Sequence, residues 1–377
     1  MDSEYTKRLE KIEERLALFL PRSPGQPWMD LVFADSARQA GHDLAASLLE
    51  PGWDIVNRGG KRWRPLLLTL ICEALGGGDK GLALVPLVEF PHNASLIHDD
   101  IEDNSDERRG KPAVHLVYGA DTAINSGCFL YFLPLACVDS WDVPAELKNR
   151  VYAAWAEHMR RLHLGQAMDI KWHRDFAAVP GPAEYELMCR LKTGSLARLA
   201  AVLGVYAGYA GKAGGPPAAR ETFQERAAPW IEAFGGAAEK LGVGFQILDD
   251  VKNLITGNPG KKRGDDVVEG KKSLPALLFL NEHPEKAPLV ERCFRAARAG
   301  GSSVPEVEEL IGEFEAAGAL EKAGARGLAL IGEAREALAG PGGGLWEAAG
   351  GGEEGCGRPA EALAARRLLA GFTELLR

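Results

Sequence analysis

Apolar residues recur along most of this chain at three- and four-residue steps, the spacing that gathers them on one face of an α-helix. Over residues 5–20 the stripe is Leu9, Ile12, Leu16 and Phe19. The same period predicts helices over 62–76, 82–103, 120–138, 146–173, 183–210, 220–257 and 273–282, with a last amphipathic helix over 359–375. Residues 196–211 (LARLAAVLGVYAGYAG) are apolar almost all round, which places that helix in the centre of a bundle or in a helical interface. No stretch alternates apolar and polar residues long enough to predict a sheet. The expected class is all-α.

Glycine and proline set the breaks: PRSPGQP at 21–27, GGPP at 214–217, and GNPGKKRG at 257–264, a basic loop. Beyond residue 301 the chain turns to Ala, Glu and Gly, and residues 340–357 are half glycine, which predicts a flexible connection before the final helix. The whole chain has 377 residues, is 46% hydrophobic, and carries 53 acidic against 44 Lys and Arg side chains, for a formal charge of −9. That balance argues against nucleic acid or an anionic membrane as a partner recognised through bulk charge. No apolar run reaches the roughly 18 residues of a membrane span, and the first twenty residues read as a charged helix rather than a secretory signal. The expectation is no stable membrane insertion and a cytoplasmic location. Six cysteines without a CxxC pair read as small, mostly buried thiols in a reducing compartment.

Two acidic motifs carry the chemistry. The first, His98-Asp99-Asp100-Ile101-Glu102-Asp103, ends a long apolar helix. Positions four apart share a helix face, so Asp99 and Asp103 point the same way and Asp100 stands about 100° round. Two carboxylates on one face repel unless a cation lies between them. A lone DDxxD is most often a solvated helix end. Here the preceding LVEFPHNASLI is largely apolar, so the carboxylates emerge from a core helix. The second motif, FQILDDVKN, presents Asp249 and Asp250 in the same way, with Asn253 where the first motif has Asp103. Two such motifs on separate helices suggest carboxylates facing across a cavity. Hard oxygen donors without Cys or paired His favour Mg²⁺ over zinc, and Mg²⁺ commonly shares its ligands between carboxylates and substrate phosphates.

Cations lie beside both motifs: Lys61 and Arg64 in GGKRWRP, Arg108 and Arg109, Lys192 next to Thr193, then Lys261 and Lys271. Each alone reads as a solvated surface charge. As a set flanking metal-binding carboxylates they suit pyrophosphate, with Arg giving forked donors and Lys a point charge. The five aspartates of the motifs and these seven cations come near local balance, which the overall charge conceals. No GxxxxGK[ST] run is present, so a P-loop nucleotide site is excluded.

In order, GGKRWRP, HNASLIHDDIED with RRG after it, GQAMD, KTG, FQILDDVKN and GKKRGDD…EGKKSLP resemble the motifs of trans-isoprenyl diphosphate synthases. The HNASL…DDIEDNS…RRG run and the DDxxN form are most similar to geranylgeranyl diphosphate synthases of the eukaryotic type, and the match runs over residues 55–280. The resemblance implies an isoprenoid-synthase-type helical bundle around a central cavity, usually a homodimer. The expected organisation is N-terminal helices over 1–54 packing on the core, a catalytic helical domain over 55–300 and C-terminal helices over 301–377 with a glycine-rich connection. The implied reaction is head-to-tail condensation of isopentenyl diphosphate with an allylic diphosphate, releasing pyrophosphate. Asp99 and Asp103 would hold two Mg²⁺ ions with Asp100 in support, and Asp249, helped by Asp250, a third. Arg108, Lys192 and Lys261 would bind the allylic diphosphate; Lys61, Arg64, His92 and Arg109 the isopentenyl diphosphate, with Lys271 a further diphosphate contact. Thr193 and Gln246 would line the reacting carbon. The motifs carry no conspicuous general base, so the released pyrophosphate is expected to take the last proton.

Product length turns on Ala94, five residues before Asp99 and so about 7.5 Å along the helix. In the family an aromatic there stops the chain early, and alanine leaves the path open. Phe90, Phe129, Tyr131 and Phe132 are candidates for a deeper floor, and each also reads as plain core. The expected product is C20, with farnesyl or longer chains as alternatives. Two rivals stand beside this reading. A terpene cyclase would want a different second metal motif and no second diphosphate site, and a non-catalytic partner subunit would have lost an aspartate motif or the clamps. The glycine-rich segment and last helix lie outside the resemblance and read as a surface appendage.

Overall fold

The computed structural model describes residues 3–34, 42–210, 217–257, 262–340 and 359–376. The chain opens with α1 (Ser3–Phe19), α2 (Gln26–Phe33), α3 (His42–Asn57) and α4 (Trp63–Ala74). A 3₁₀ segment, Gly78–Leu84, leads into α5 (Pro86–Glu102). Then come a two-residue ribbon, β1 (Glu107–Arg108) with β2 (Lys111–Pro112), and α6 (Val114–Tyr118), α7 (Ala120–Phe132), α8 (Ala136–Asp139) and α9 (Ala145–Arg174). Helix α10 (Pro182–Cys189) passes through a π-helical turn, Arg190–Gly194, into α11 (Ser195–Tyr209). The chain continues through α12 (Pro217–Ile255), α13 (Asp265–Glu269), α14 (Leu274–Glu282), α15 (Ala287–Gly300), α16 (Pro305–Ala316), α17 (Ala319–Ala339) and α18 (Pro359–Gly371). The class is all-α, as the periodicity predicted.

Helices α4 and α11 form the centre, and both are buried nearly all round. Gly204 lets them meet closely: a Cβ there would stand 2.7 Å from the carbonyl oxygen of Leu68. Helix α12 runs along α11 on one side and α17 on the other. The last helix is not an appendage. Its Ala365, Leu369 and Phe372 are fully buried, it packs on α4, and Tyr5 of α1 donates to the Leu368 carbonyl at 2.6 Å. Its apolar stripe completes the main core, which is why the amphipathic pattern was visible but its place was not. The glycine-rich stretch beyond Gly340 lies outside the described residues.

Three helices expected to run through are broken. Pro134 turns the end of the 120–138 helix into a 3₁₀ segment, and the 82–103 helix begins only at Pro86. The 183–210 helix carries the π turn. The small ribbon was not foreseen either, and its cause is local. Arg108 pairs with Lys111 across Arg109 and Gly110, both with positive φ (54° and 74°), the two-residue primed turn that suits a hairpin. Among the described residues one stretch, Ala120–Asp139, is apolar enough by composition to cross a membrane, with mean hydropathy 1.2; half of it is buried in the fold. Of the five described cysteines four are buried, but Cys128 on α7 is exposed.

Candidate active site

The sequence motifs converge on one cavity of about 400 Å³. Its walls come from the turn before α4, α5, the turn carrying Arg108 and Arg109, α9, the π turn and α12. A larger, shallow groove of about 690 Å³ lies between α1 and the residues around Asp79 and Trp141, and none of the motif residues line it. The chemistry therefore belongs to the smaller cavity.

At one end stand the carboxylates. Asp99 on α5, Asp103 at its C-cap, Asp249 on α12 and Asp169 on α9 all line the cavity. Both α5 and α12 bring their acidic residues near a helix C-terminus, where the helix dipole already favours cations over anions. The second aspartate of each pair turns inward. Asp100 is fully buried and accepts hydrogen bonds from the Arg108 guanidinium, from Nε at 2.8 Å and also from Nη2. Asp250, 1% exposed, accepts from Tyr185 Oη at 2.6 Å, Gln246 Nε2 at 2.8 Å and Lys271 Nζ at 2.9 Å. Asp100 and Asp250 are therefore not among the residues that line the cavity, and each fixes a cation that does. Among the described residues no three His, Cys, Asp or Glu side chains come close enough to hold a metal by themselves. Cavity-facing oxygens in ones and twos fit a hard ion that keeps waters and takes phosphate oxygens, and so fit Mg²⁺.

Lys192 is a half-buried cation of this end. It donates to Asp169 Oδ2 at 2.7 Å and lies 3.9 Å from Asp99 Oδ1. Burial works against its charge, but Asp169 and Asp99 outweigh that and hold it well above the ordinary lysine value. Asp169 is held low in turn, because Lys192 and Lys271 overcome its own burial. Gln166 donates to Asp99 Oδ1 at 2.6 Å and also to Glu102 Oε2, a carboxyl pushed upward chiefly by burial. Asp169 and Gln166 were not singled out from sequence. Their signal was the GQAMD run, in which positions 166 and 169 share a helix face.

The π turn presents Lys192 and Thr193. One extra residue in the turn is tolerated because Gly165 of α9 crosses directly over it: a Cβ on Gly165 would lie 2.8 Å from Leu191 C and Lys192 Cα, and closer still to the Lys192 amide nitrogen. Such π turns are frequent at functional sites. Thr193 donates to Gln246 Oε1 at 2.9 Å, and Asp250 orients that amide by accepting from its nitrogen.

The other end of the cavity is cationic. Arg64 is 8% exposed, lies 4.5 Å over the Trp63 ring, and is brought down to about 10 by burial. Arg109, in the primed turn, is likewise lowered to about 10 by burial, with Glu89 opposing. Both stay charged at neutral pH. His92 sits among them and is driven well below its usual value by burial and by Arg64 and Arg109, so it is neutral. Lys61 lies 5.3 Å from the Phe245 ring and is lowered by burial. Lys271 lines the cavity but is engaged by Asp250, with Asp266 at 3.8 Å. Lys261 lies outside the described residues. Ala94 is fully buried behind Ser95 and Leu96, which line the cavity in its place.

Comparison with known proteins bears on the family and the fold. A family profile for polyprenyl synthetase matches residues 45–311. A geranylgeranyl pyrophosphate synthase from Neocamarosporium betae is 36% identical over 240 residues, 63% of this chain and 62% of its own length. The chain thus spans less than two thirds of that relative. The solved geranylgeranyl pyrophosphate synthetase of Pyrococcus horikoshii Ot3 superposes with a TM-score of 0.71 at 24% identity, covering 98% of this chain and 97% of that one. A geranylgeranyl pyrophosphate synthase from Corynebacterium glutamicum, solved with isoprenyl diphosphate and magnesium, gives 0.66 at 24% identity, with 97% and 98% covered.

Proposed function

The chain belongs to the polyprenyl synthetase family, and on that premise we propose that it condenses isopentenyl diphosphate head-to-tail with an allylic diphosphate, giving a C20 product and pyrophosphate. The observation that carries this reading is a single cavity lined by carboxylates and by two differently anchored sets of cations. Arg108 and Lys192, held by Asp100 and Asp169, suit the allylic diphosphate. Arg64, Arg109 and Lys61, with neutral His92, suit a second diphosphate, which a terpene cyclase would not require. Asp99, Asp103 and Asp249 would hold three Mg²⁺ ions, which when bound neutralise the leaving diphosphate. The magnesium and isoprenyl diphosphate in the Corynebacterium glutamicum structure support this choice.

The residues of this chain then divide the work. Lys192 and Arg108 stabilise the negative charge that builds as the allylic C–O bond breaks and its electron pair leaves with pyrophosphate. The Thr193 hydroxyl and Gln246 amide, fixed by Asp250, place dipoles beside the allylic cation. Leu96, Leu196 and Phe245 line the cavity and exclude water from it. The double bond of the isopentenyl group attacks the cation, and the proton it then loses passes to a pyrophosphate oxygen.

Two copies of the chain are proposed to pair through α7, where Ile124, Cys128 and Phe132 recur at four-residue steps and are all exposed. The predominance of buried thiols suits the cytoplasm. The test is incubation of purified protein with isopentenyl diphosphate and each allylic primer, with and without Mg²⁺, followed by chromatographic sizing. A C20 product that requires Mg²⁺ is expected; no condensation with any primer refutes the reading.

A further inference from the structure

One carboxylate at the cationic end has no obvious place there. Glu89 lines the cavity, is 2% exposed, and stands among arginines that should receive a diphosphate. A bare carboxylate in that position would repel the ligand. Its Oε1 is instead occupied twice, by Arg62 Nη1 at 2.7 Å and by Asn93 Nδ2 at 3.1 Å. Arg62 in turn gives Nε to Glu13 Oε1 at 2.7 Å and Nη2 to the Val56 carbonyl. Asn93, its amide nitrogen committed to Glu89, turns its oxygen to Arg109 Nη1 at 3.1 Å. A continuous path thus runs from Glu13 on α1 through Arg62, Glu89 and Asn93 to Arg109.

The path fastens backbone as well as side chains. Arg62 and Arg109 are two of only four non-glycine residues with positive φ among those described (48° and 54°). Each costs the chain strain that its surroundings must offset. Arg62 directs the turn from which Lys61 and Arg64 project; Arg109 belongs to the primed turn. Among the described residues no comparable path ties α1 to the carboxylate end, where Asp100, Asp169 and Gln166 do the anchoring.

We infer that Glu13 is a positioning residue for the second-diphosphate half of the cavity, acting on Arg109 and the Lys61–Arg64 turn through Arg62, Glu89 and Asn93. The inference rests on the condensation reading and makes the N-terminal helix part of that half alone. Glu13 is half-exposed, so its replacement leaves no buried hole.

The experiment compares wild type, Glu13→Ala and Glu13→Gln by separate KM values for isopentenyl and farnesyl diphosphate, with thermal melting alongside. Glu13→Ala is expected to raise the isopentenyl KM about fivefold and leave the farnesyl KM within about twofold. Glu13→Gln, which keeps an acceptor for Arg62 Nε, should fall between. In an Asn93→Ala background the path is already cut, so Glu13→Ala should add less than about twofold. Equal shifts in both KM values, a melting shift alone, or a full effect in the Asn93→Ala background overturns the inference. If wild type itself condenses nothing, the functional reading fails first; if it condenses and Glu13→Ala is unchanged, only the relay falls.

Discussion

Gly165→Ala should be among the most damaging small substitutions in this protein. The added methyl would stand 2.8 Å from Leu191 C and Lys192 Cα and nearer still to the Lys192 nitrogen, whereas ordinary van der Waals contact begins near 3.4 Å. The obstacle is the backbone of the π turn, which cannot swing aside as a side chain could. Relief requires α9 and the turn to separate by about 1 Å, carrying Lys192 and Thr193 with them. A displacement of that size costs on the order of 100-fold in rate, about 2.7 kcal/mol of transition-state stabilisation. The fold should survive, since overpacking costs about 1–3 kcal/mol. Steady-state kinetics on the folded variant should therefore show kcat/KM for the allylic substrate down roughly 100-fold, with the isopentenyl KM within about twofold. Gly236→Ala is the control: nothing lies within 4 Å of its added carbon, so it should be neutral or slightly stabilising. A folded Gly165→Ala enzyme with kcat/KM within about twofold of wild type would refute the crossing argument.

Three further outcomes are expected. Ala94→Phe should shorten the product to C15, because Ala94 is fully buried next to the cavity-lining Ser95 and Leu96 and a ring there must press them into the cavity; a C20 product from the variant would show that Ala94 does not control length. His92 is depressed in the folded state, so below the unfolded value near 6.5 the unfolded chain binds the extra proton. Its contribution is then absent above about pH 6.5 and destabilises increasingly as pH falls, by at most about 1.4 kcal/mol per unit. His92→Gln should accordingly lose less melting temperature than wild type between about pH 7.5 and about pH 5.5, and parallel losses would contradict a neutral imidazole. Phe132, 64% exposed on α7, should be needed for pairing of two copies. Phe132→Asp should halve the mass seen by light scattering, and an unchanged mass would move the interface elsewhere.

Helix existence was legible because burial of an apolar face is a local, periodic demand, and α1, α5, α9 and α12 follow it. Their interruptions were not. The π turn at Arg190–Gly194 barely disturbs the apolar period, and its reason, Gly165, lies on another helix. The primed turn at Arg109-Gly110 could have been read from the glycine, but only with the knowledge that its flanks pair. In the site, charge type was legible and connectivity was not. Asp99 and Asp103 share a face by simple helical geometry, and both line the cavity. That Asn93 serves Arg109, or that Arg62 of GGKRWRP faces Glu89 and Glu13 rather than a ligand, depends on contacts between distant segments that no spacing encodes.

The doubled aspartates show how such connectivity is built from local geometry. Adjacent residues on a helix diverge by about 100°, so a DD pair cannot present both carboxylates to one ligand from one face. In both motifs the first aspartate lines the cavity and the second is buried on a cation of the same site: Asp100 on Arg108, Asp250 on Lys271. The pair thus couples a cavity-facing acid to the clamp beside it through one rigid turn of helix. This arrangement explains why acids and bases come near balance in the site although the whole chain is acidic. The visible partner of each second aspartate is a cation: a buried carboxylate bonded to Arg108 or Lys271 keeps that cation charged and in place, whereas an unpaired buried cation would be costly to hold.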